Sequence, residues 1–474
     1  MVSLEDSIKM LTYNLNNIGS DSLYEHLYKC IKKDIIQGKL KAGDKLPPKR
    51  PFAKNLGISV ITIENAYGQL IAEGYIYSLP KKGYYVSDLK NNGLQTKPAT
   101  KEQVILTGGD NSYIADFSSN QTEHSIFPFS IWTKVMRDII NDNQTQLMTN
   151  APCGGIMIFR EAIAKYLKDF RGMYVKPEQI IIGAGTEYLY SLIIQLLGDD
   201  MIYGVENPGY TKTAKIYGSM HVPYKYINID KYGVTVESLI DKKIDVMHIS
   251  PSHHFPTGIV MPISRRYELL GWASKEKERY IIEDDYDSEL RLSGKPIPTL
   301  QSIDVSDKVI YMNTFTKTLC STVRISYMVL PEPLADRFYK KLSFYSCTVS
   351  NFEQYTLARF MMDGSFEKHI NRLRNYYQNK RDAILNAFTK KPLGNYISIT
   401  EEEAGVHFLM HINTKKTEDE IVKSAMSKGI KLVPLSKYFH EETGTSTNTY
   451  VMNYSSIKLE NLDATVNRLY GILQ

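Results

Sequence analysis

Lys317 stands in 311-YMNTFTKTLCSTVRISYMVL-330 among small hydroxyl residues, with apolar β-formers on both sides and Arg324 seven positions on. A lysine in such apolar company could hold an aldehyde cofactor covalently, as a Schiff base. Upstream, Asp284 belongs to the acidic run 283-EDDYDSE-289, which directly follows the apolar YII. A carboxylate at a buried strand end is costly unless paired, so Asp284 calls for a cationic partner, and a protonated pyridine nitrogen would serve. Arg324, Thr314 and Thr316 form a donor set suited to a phosphate. Gly185-Thr186-Glu187 reads as a strand-to-helix turn, whose free N–H groups form a second anion site.

A carboxylate for a ring nitrogen, a lysine for an aldehyde and two sets of phosphate donors describe the requirements of pyridoxal 5'-phosphate. The elements that must position these residues alternate apolar strands with helices: 179-QIIIGAG-185 before TEYLYSLIIQLLG, then 244-IDVMHIS-250, 279-RYIIEDDY-286 and 308-KVIYMNTF-315. Short apolar runs that end in glycine or acidic residues predict buried parallel strands with function at their carboxyl ends.

In this order the motifs resemble the fold-type I aminotransferases, and the resemblance extends through 152-PCGGIMIFREAIAKYLKDFRG-172, 206-ENPGY-210, 251-PSHHFPTG-258 and 405-GVH-407. It implies that Lys317 holds the cofactor, Asp284 its ring nitrogen and Tyr286 its phenolic oxygen. Tyr210 would stack on the ring, Thr186, Glu187 and Arg324 would hold the phosphate, and His253 would lie nearby. The chain departs from the pattern of the MocR subfamily of regulators, which this segment also resembles, at Cys320, Ser321 and Ser326, which predicts a less rigid loop behind the lysine. It departs again in 450-YVMNYSS-456, where Val451 takes the slot of the arginine that clamps a substrate carboxylate in aminotransferases. Loss of that bidentate clamp counts against ordinary amino-acid transamination. Lys212, two after Tyr210, is the candidate effector-binding residue, offering a point charge to a ligand carboxylate.

The N-terminal stretch is of another kind. In 22-SLYEHLYKCIKKDIIQGKL-40, Leu23, Leu27, Ile31 and Ile35 recur every four positions, with Ser22 to cap the helix and Gly38 to end it. A short helix from about Pro51, a turn at Leu56-Gly57-Ile58 and a second helix capped by Ser59 follow, and 75-YIYSLPKKGYYVS-87 reads as a hairpin. Residues 22–87 resemble the winged helix-turn-helix of the GntR family of bacterial transcription regulators at Gly38, Leu40, Gly43, Leu46, Pro47, Arg50, Glu73, Gly74, Tyr75, Ile76 and Gly83. The resemblance implies DNA binding, with Lys49, Arg50, Lys81 and Lys82 on phosphates, Gly83 in the wing, and Ser59 and Thr62 facing the major groove. Pro48, Val60 and Ile61 stand where that family carries serine and polar or basic residues, which shifts the expected readout toward thymine methyls and DNA shape.

A GntR-type head joined to an aminotransferase-like domain resembles the MocR subfamily of regulators. The expected fold class is α/β: an N-terminal winged helix-turn-helix (1–87), a linker (88–110), a large aminotransferase fold-type I domain with a mainly parallel sheet and helices on both faces (111–340), and a small C-terminal α+β subdomain (341–474). At 474 residues the chain is long enough for two to four domains. Residues 1–90 carry 13 Lys and Arg against 9 Asp and Glu, so +4 of the net +5 sits in the head. No apolar run approaches the ~20 residues of a membrane span, and the scattered Cys30, Cys153, Cys320 and Cys347 make neither a zinc site nor a disulfide framework. Both points suit a cytoplasmic protein. The expected function is a transcription regulator that binds double-stranded promoter DNA as a homodimer and senses pyridoxal phosphate or its adduct with a small amino compound. The alternatives are an active aminotransferase carrying a DNA-binding head, and a nucleic-acid-binding protein with an aminotransferase domain kept only for dimerisation.

Overall fold

The structure is a computed structural model that describes residues 11–15, 21–89, 113–119, 121–292, 297–440 and 448–474. The chain divides into two compact units, Met1–Gly108 and Gly109–Gln474. The expected linker falls almost wholly outside the described residues.

In the first unit, α1 (Leu23–Ile36) starts at Ser22, whose hydroxyl and backbone N–H both meet the Glu25 carboxylate. The four-residue apolar period buries Leu27, Ile31 and Ile35. Helix α2 (Lys49–Leu56) begins two residues before Pro51. Proline is tolerated there because the first-turn N–H groups of a helix have no intrahelical partner. Gly57 ends α2 in the left-handed region, and Ser59 caps α3 (Val60–Ala72) by accepting from Thr62 N. Strands β1 (Ile76–Leu79) and β2 (Gly83–Val86) pair antiparallel as the wing. Leu27, Ile31, Phe52, Ile63, Tyr67 and Leu70 close the core, and the buried Tyr67 hydroxyl donates to Pro47 O at 2.9 Å. Tyr28 and Lys32 of α1 both donate to Glu73 at the end of α3, which ties the first helix to the last.

The second unit contains β3 (Ala115–Asp116), β4 (Ile180–Gly183), β5 (Tyr203–Asn207), β6 (Tyr224–Asp230), β7 (Gly233–Val234), β8 (Val246–Ile249), β9 (Tyr280–Asp284), β10 (Val309–Thr314), β11 (Ser326–Val329), β12 (Ile397–Thr400), β13 (His407–Ile412), β14 (Ile430–Lys431), β15 (Val433–Pro434) and β16 (Thr449–Asn453). Eight of them form one sheet in the order β4-β11-β10-β9-β8-β5-β6-β7. Its middle, β10 through β6, is parallel, while β11 runs against both its neighbours and β7 against β6. Strand alternation sends Ile181, Ile282, Ile310 and Met328 to one face against Leu189 and Ile193, and Ile180, Ile182, Tyr311 and Tyr327 to the other against Phe159 and Ile163. A second sheet, β12-β13-β16-β15, carries the smaller subdomain.

Core packing draws the line between large and small parts differently from the sequence expectation. Ala115 and Phe117 join the small subdomain's core, because β3 pairs with β14. Conversely, Leu357, Phe360, Phe366 and Ile370 pack on the large sheet, whereas Leu373, Tyr377, Ile384 and Phe388 pack in the small core. The crossover therefore lies inside the 25-residue helix Ser365–Thr389 rather than near residue 340.

Candidate functional site

The carboxyl ends of β4, β5, β9 and β10 converge on one edge of the large sheet. Because β11 runs the opposite way, its amino end reaches the same edge and delivers Arg324. There, Gly185, Thr186, Glu187, Tyr210, Lys212, Ser250, Phe255, Tyr286, Thr314, Thr316, Lys317 and Arg324 line a cavity of about 220 Å³. Nine of the predicted site residues thus share one wall. Asp284 and His253 stand behind it.

Lys317 follows β10 and is partly buried, and its desolvation pushes its ammonium down to about 8 against the opposing charge of Asp287. Thr314 Oγ1 lies 3.0 Å from Thr316 Oγ1 and accepts from Ser326 Oγ at 2.9 Å. Ser326, one of the departures from the family pattern, is fully buried and extends this chain of hydroxyls.

The turn Gly183–Thr186 opens the helix Thr186–Leu197 toward the cavity. Gly185 has φ +96°, and a Cβ there would come within 2.5 Å of Arg324 Nη2. Only glycine permits both the backbone conformation and the close approach. Glu187 accepts through one carboxylate oxygen from Arg324 and through the other from Lys212. Its carboxylate is an acceptor already engaged by two cations, so the group it can offer an anion is its backbone N–H in the first helical turn.

Asp284, the last residue of β9, accepts from the Tyr190 hydroxyl at 2.8 Å, and its Oδ2 lies 3.5 Å from His248 Nε2. The other ring nitrogen of His248 is 2.9 Å from the Tyr217 hydroxyl. Asp284 Oδ1 is buried and has no hydrogen-bond partner among the described residues. His253 sits behind Tyr286: its Nδ1 is 2.9 Å from Asp287 Oδ2 and 3.3 Å from the Tyr286 hydroxyl. A Cβ on Gly405 would lie 2.0 Å from His253 Cε1, so the backbone there presses on the imidazole. Tyr210 is 53% exposed, its ring edge-on to Phe255.

The rest of the acidic run lies outside the cavity lining and is held by its own partners. Asp285 pairs with Arg171 at 2.7 Å and accepts from Tyr311 at 2.7 Å. Glu283 accepts from the N–H groups of Leu300 and Gln301, and Glu289 from Tyr166 and Asn313. Burial raises both glutamates to about 7. Glu206, at the end of β5, is pushed up to about 8 by burial although it accepts from Ser250 N. Sequence reasoning missed Tyr190, His248, Tyr217, Asp287 and Arg171. Tyr190, His248, Tyr217 and Arg171 are recognised only by partners far away in the chain, whereas Asp287 lies in the acidic run that the sequence already singles out.

In the head, Lys49 Nζ pairs with Glu64 of α3 at 2.6 Å and lies over the Tyr84 ring. Arg50, Lys81 and Lys82 are exposed, the two lysines at the wing tip beside Gly83, whose φ is +114°. The Ser59 and Thr62 hydroxyls bond to each other at 2.8 Å. The exposed surface near the start of α3 is otherwise Val60, Ile61, Glu64 and Asn65, with Ile61 68% exposed. No group of metal-ligating residues occurs among the described residues, and no helix among them is long and apolar enough to cross a membrane.

Residues 23–86 match the family of bacterial regulatory proteins of the gntR type, and residues 114–449 match aminotransferase class I and II. The chain is 36% identical to an HTH-type transcriptional regulator of Bacillus subtilis, YdeL, over 92% of this chain and 94% of that protein. It is 29% identical to the probable rhizopine catabolism regulatory protein MocR of Rhizobium meliloti, over 94% and 93% of the two chains. Among solved structures, Pyrococcus horikoshii kynurenine aminotransferase, in a complex with PMP, superposes with a TM-score of 0.66 at 26% identity, covering 76% of this chain and 91% of that one. With its gntR-type head, its aminotransferase-like unit and full-length similarity to such regulators, the chain belongs to the MocR-like family of HTH-type transcriptional regulators.

Proposed function

We propose that this regulator binds pyridoxal 5'-phosphate in the Lys317 cavity and uses it to register a small amino compound, or the cofactor itself, in control of promoter DNA. Two features of the cavity fit the cofactor. Asp284 Oδ1 is a buried acceptor without a partner among the described residues, suited to a protonated ring nitrogen. Gly185 leaves open, beside Arg324, the space that any side chain would fill. When bound, the cofactor supplies an aldehyde that captures primary amines.

The chain's own groups have distinct tasks in this reading. Lys317, its ammonium lowered to about 8 by burial, is available as the neutral amine that holds the aldehyde. Arg324, Thr186, Thr314, Thr316 and the Glu187 N–H hold the phosphate. Tyr190 and His248 hold Asp284 through Oδ2, which would leave Oδ1 for the ring nitrogen. Tyr286, whose hydroxyl lies 3.3 Å from His253 Nδ1, would donate to the phenolic oxygen. Tyr210 covers the ring face.

The observation that carries the regulator reading is Val451. It lies in the middle of β16, 2% exposed, in register with Leu409 and Val433. In the resemblance to aminotransferases this is the slot of the arginine that clamps a substrate carboxylate, and an apolar side chain fills it here. The head binds DNA through α3 and the wing, and two heads of a homodimer meet two half-sites.

The test combines spectra and DNA binding. Protein loaded with pyridoxal phosphate is expected to show the visible absorbance band of a lysine-bound aldehyde, lost in Lys317→Ala, and promoter affinity is expected to change at least fivefold between loaded and cofactor-free forms. A colourless wild type that takes up no cofactor overturns the reading. Sustained turnover with an amino donor and a keto acid would instead make the chain an enzyme with a DNA-binding head.

A further inference from the structure

Three cations line the cavity: Lys212, Lys317 and Arg324. In the proposed function, on which this inference rests, Lys317 takes the aldehyde and Arg324 the phosphate. That leaves Lys212 as the lining cation for any charge on the ligand. Lys212 and Arg324, however, are both bound by Glu187, one carboxylate oxygen to each. With Arg324 turned to a phosphate, Glu187 would still hold Lys212, a pair of zero net charge. A ligand carboxylate brought to this corner would meet the glutamate's charge as well as the lysine's, and like charges at close range oppose each other. The rest of this wall is aromatic and hydroxylic: Tyr210, Phe255, Tyr286 and Ser250. Such a surface suits an uncharged or cationic carbon skeleton.

We propose that Glu187 makes the pocket selective for primary amines that carry no carboxylate. Glu187 acts as an internal anion that occupies the position a ligand carboxylate would need. Lys212 then holds Glu187 in place rather than contacting the effector.

Matched pairs that differ only by the carboxylate provide the test: n-propylamine against γ-aminobutyrate, cadaverine against lysine, phenethylamine against phenylalanine. Each is titrated into cofactor-loaded protein while the visible band and the thermal midpoint are recorded. In wild type the amine is expected to reach half-effect at a concentration at least tenfold lower than its carboxylated partner. In Glu187→Gln, which frees the Lys212 charge, that ratio should fall at least tenfold. In Lys212→Met, which leaves Glu187 with one cation fewer, it should rise. Because the comparison is between variants, the intrinsic difference in amine reactivity cancels. A wild-type ratio at or below one, or a ratio that neither variant moves, overturns the inference while leaving the cofactor site intact. Wild-type protein that takes up no pyridoxal phosphate overturns both readings together.

Discussion

The head and the cofactor-like pocket both rely on cations, but they hold them in opposite surroundings. Lys49 and Glu64 pair on the surface of the head, their side chains 25% and 58% exposed, whereas Arg171 and Asp285 pair beneath the pocket at 4% and 0%. In water an ion pair exchanges one set of favourable contacts for another and contributes roughly 0–1 kcal/mol. In the interior, each partner makes the other's burial tolerable. A lysine on the head is therefore available to a passing phosphate, while a charge under the pocket is part of its geometry. A cation of the head thus stays open to solvent, whereas Arg171 is enclosed with its partner.

The comparison breaks most visibly at Arg171. Replacing it with Met strands the Asp285 carboxylate, and the large unit should lose about 3–5 kcal/mol in denaturant unfolding, while the head's own transition stays put. If Arg171→Met is no worse than a surface change, the two kinds of pair are not different.

Next in size is a pH effect confined to the second unit. Glu206 has its folded-state pKa raised from 4.5 to about 8. The native state therefore binds more protons than the unfolded chain across that window, and stability falls as pH rises through it. Thermal scans of Glu206→Gln should show a flatter decline over this range than wild type. Glu283 and Glu289, raised to about 7, act with the same sign and keep some slope.

Smaller effects lie in the head. Ser59→Ala removes the cap of α3 and should lower the head's stability by about 1 kcal/mol. Removing the wing lysines, Lys81→Ala with Lys82→Ala, should leave stability nearly unchanged. It should nonetheless reduce the salt dependence of DNA affinity by about 0.9 in logarithmic slope for each phosphate that is no longer neutralised. An unchanged slope would take the wing off the DNA.

How far the chain is legible without coordinates follows the same division between local and distant partners. The head is nearly all local: the four-residue period of α1, the caps at Ser22 and Ser59, and the glycine turn each act within a few residues. Lys317, Asp284 and Arg324 stand out because each is a charged residue placed in or beside an apolar strand. By contrast, Tyr190 reaches Asp284 from 94 positions away, and it is one of 34 tyrosines. Strand β3 is two residues long and pairs with residues 430–431, so no periodicity could announce it. The Glu187 carboxylate misled for a related reason: its place in an anion-binding turn was readable, but its two cationic partners lie at positions 212 and 324.

The helix Ser365–Thr389 joins the two cores of the second unit without a break. At 1.5 Å per residue its 25 residues form a beam of roughly 37 Å. Its hydrogen-bond ladder resists stretching far more than bending. The helix passes from the large-sheet core to the small core at residues 370–373, about a third of the way along its length, so the small subdomain cannot draw away from the large sheet along the helix axis without breaking that ladder.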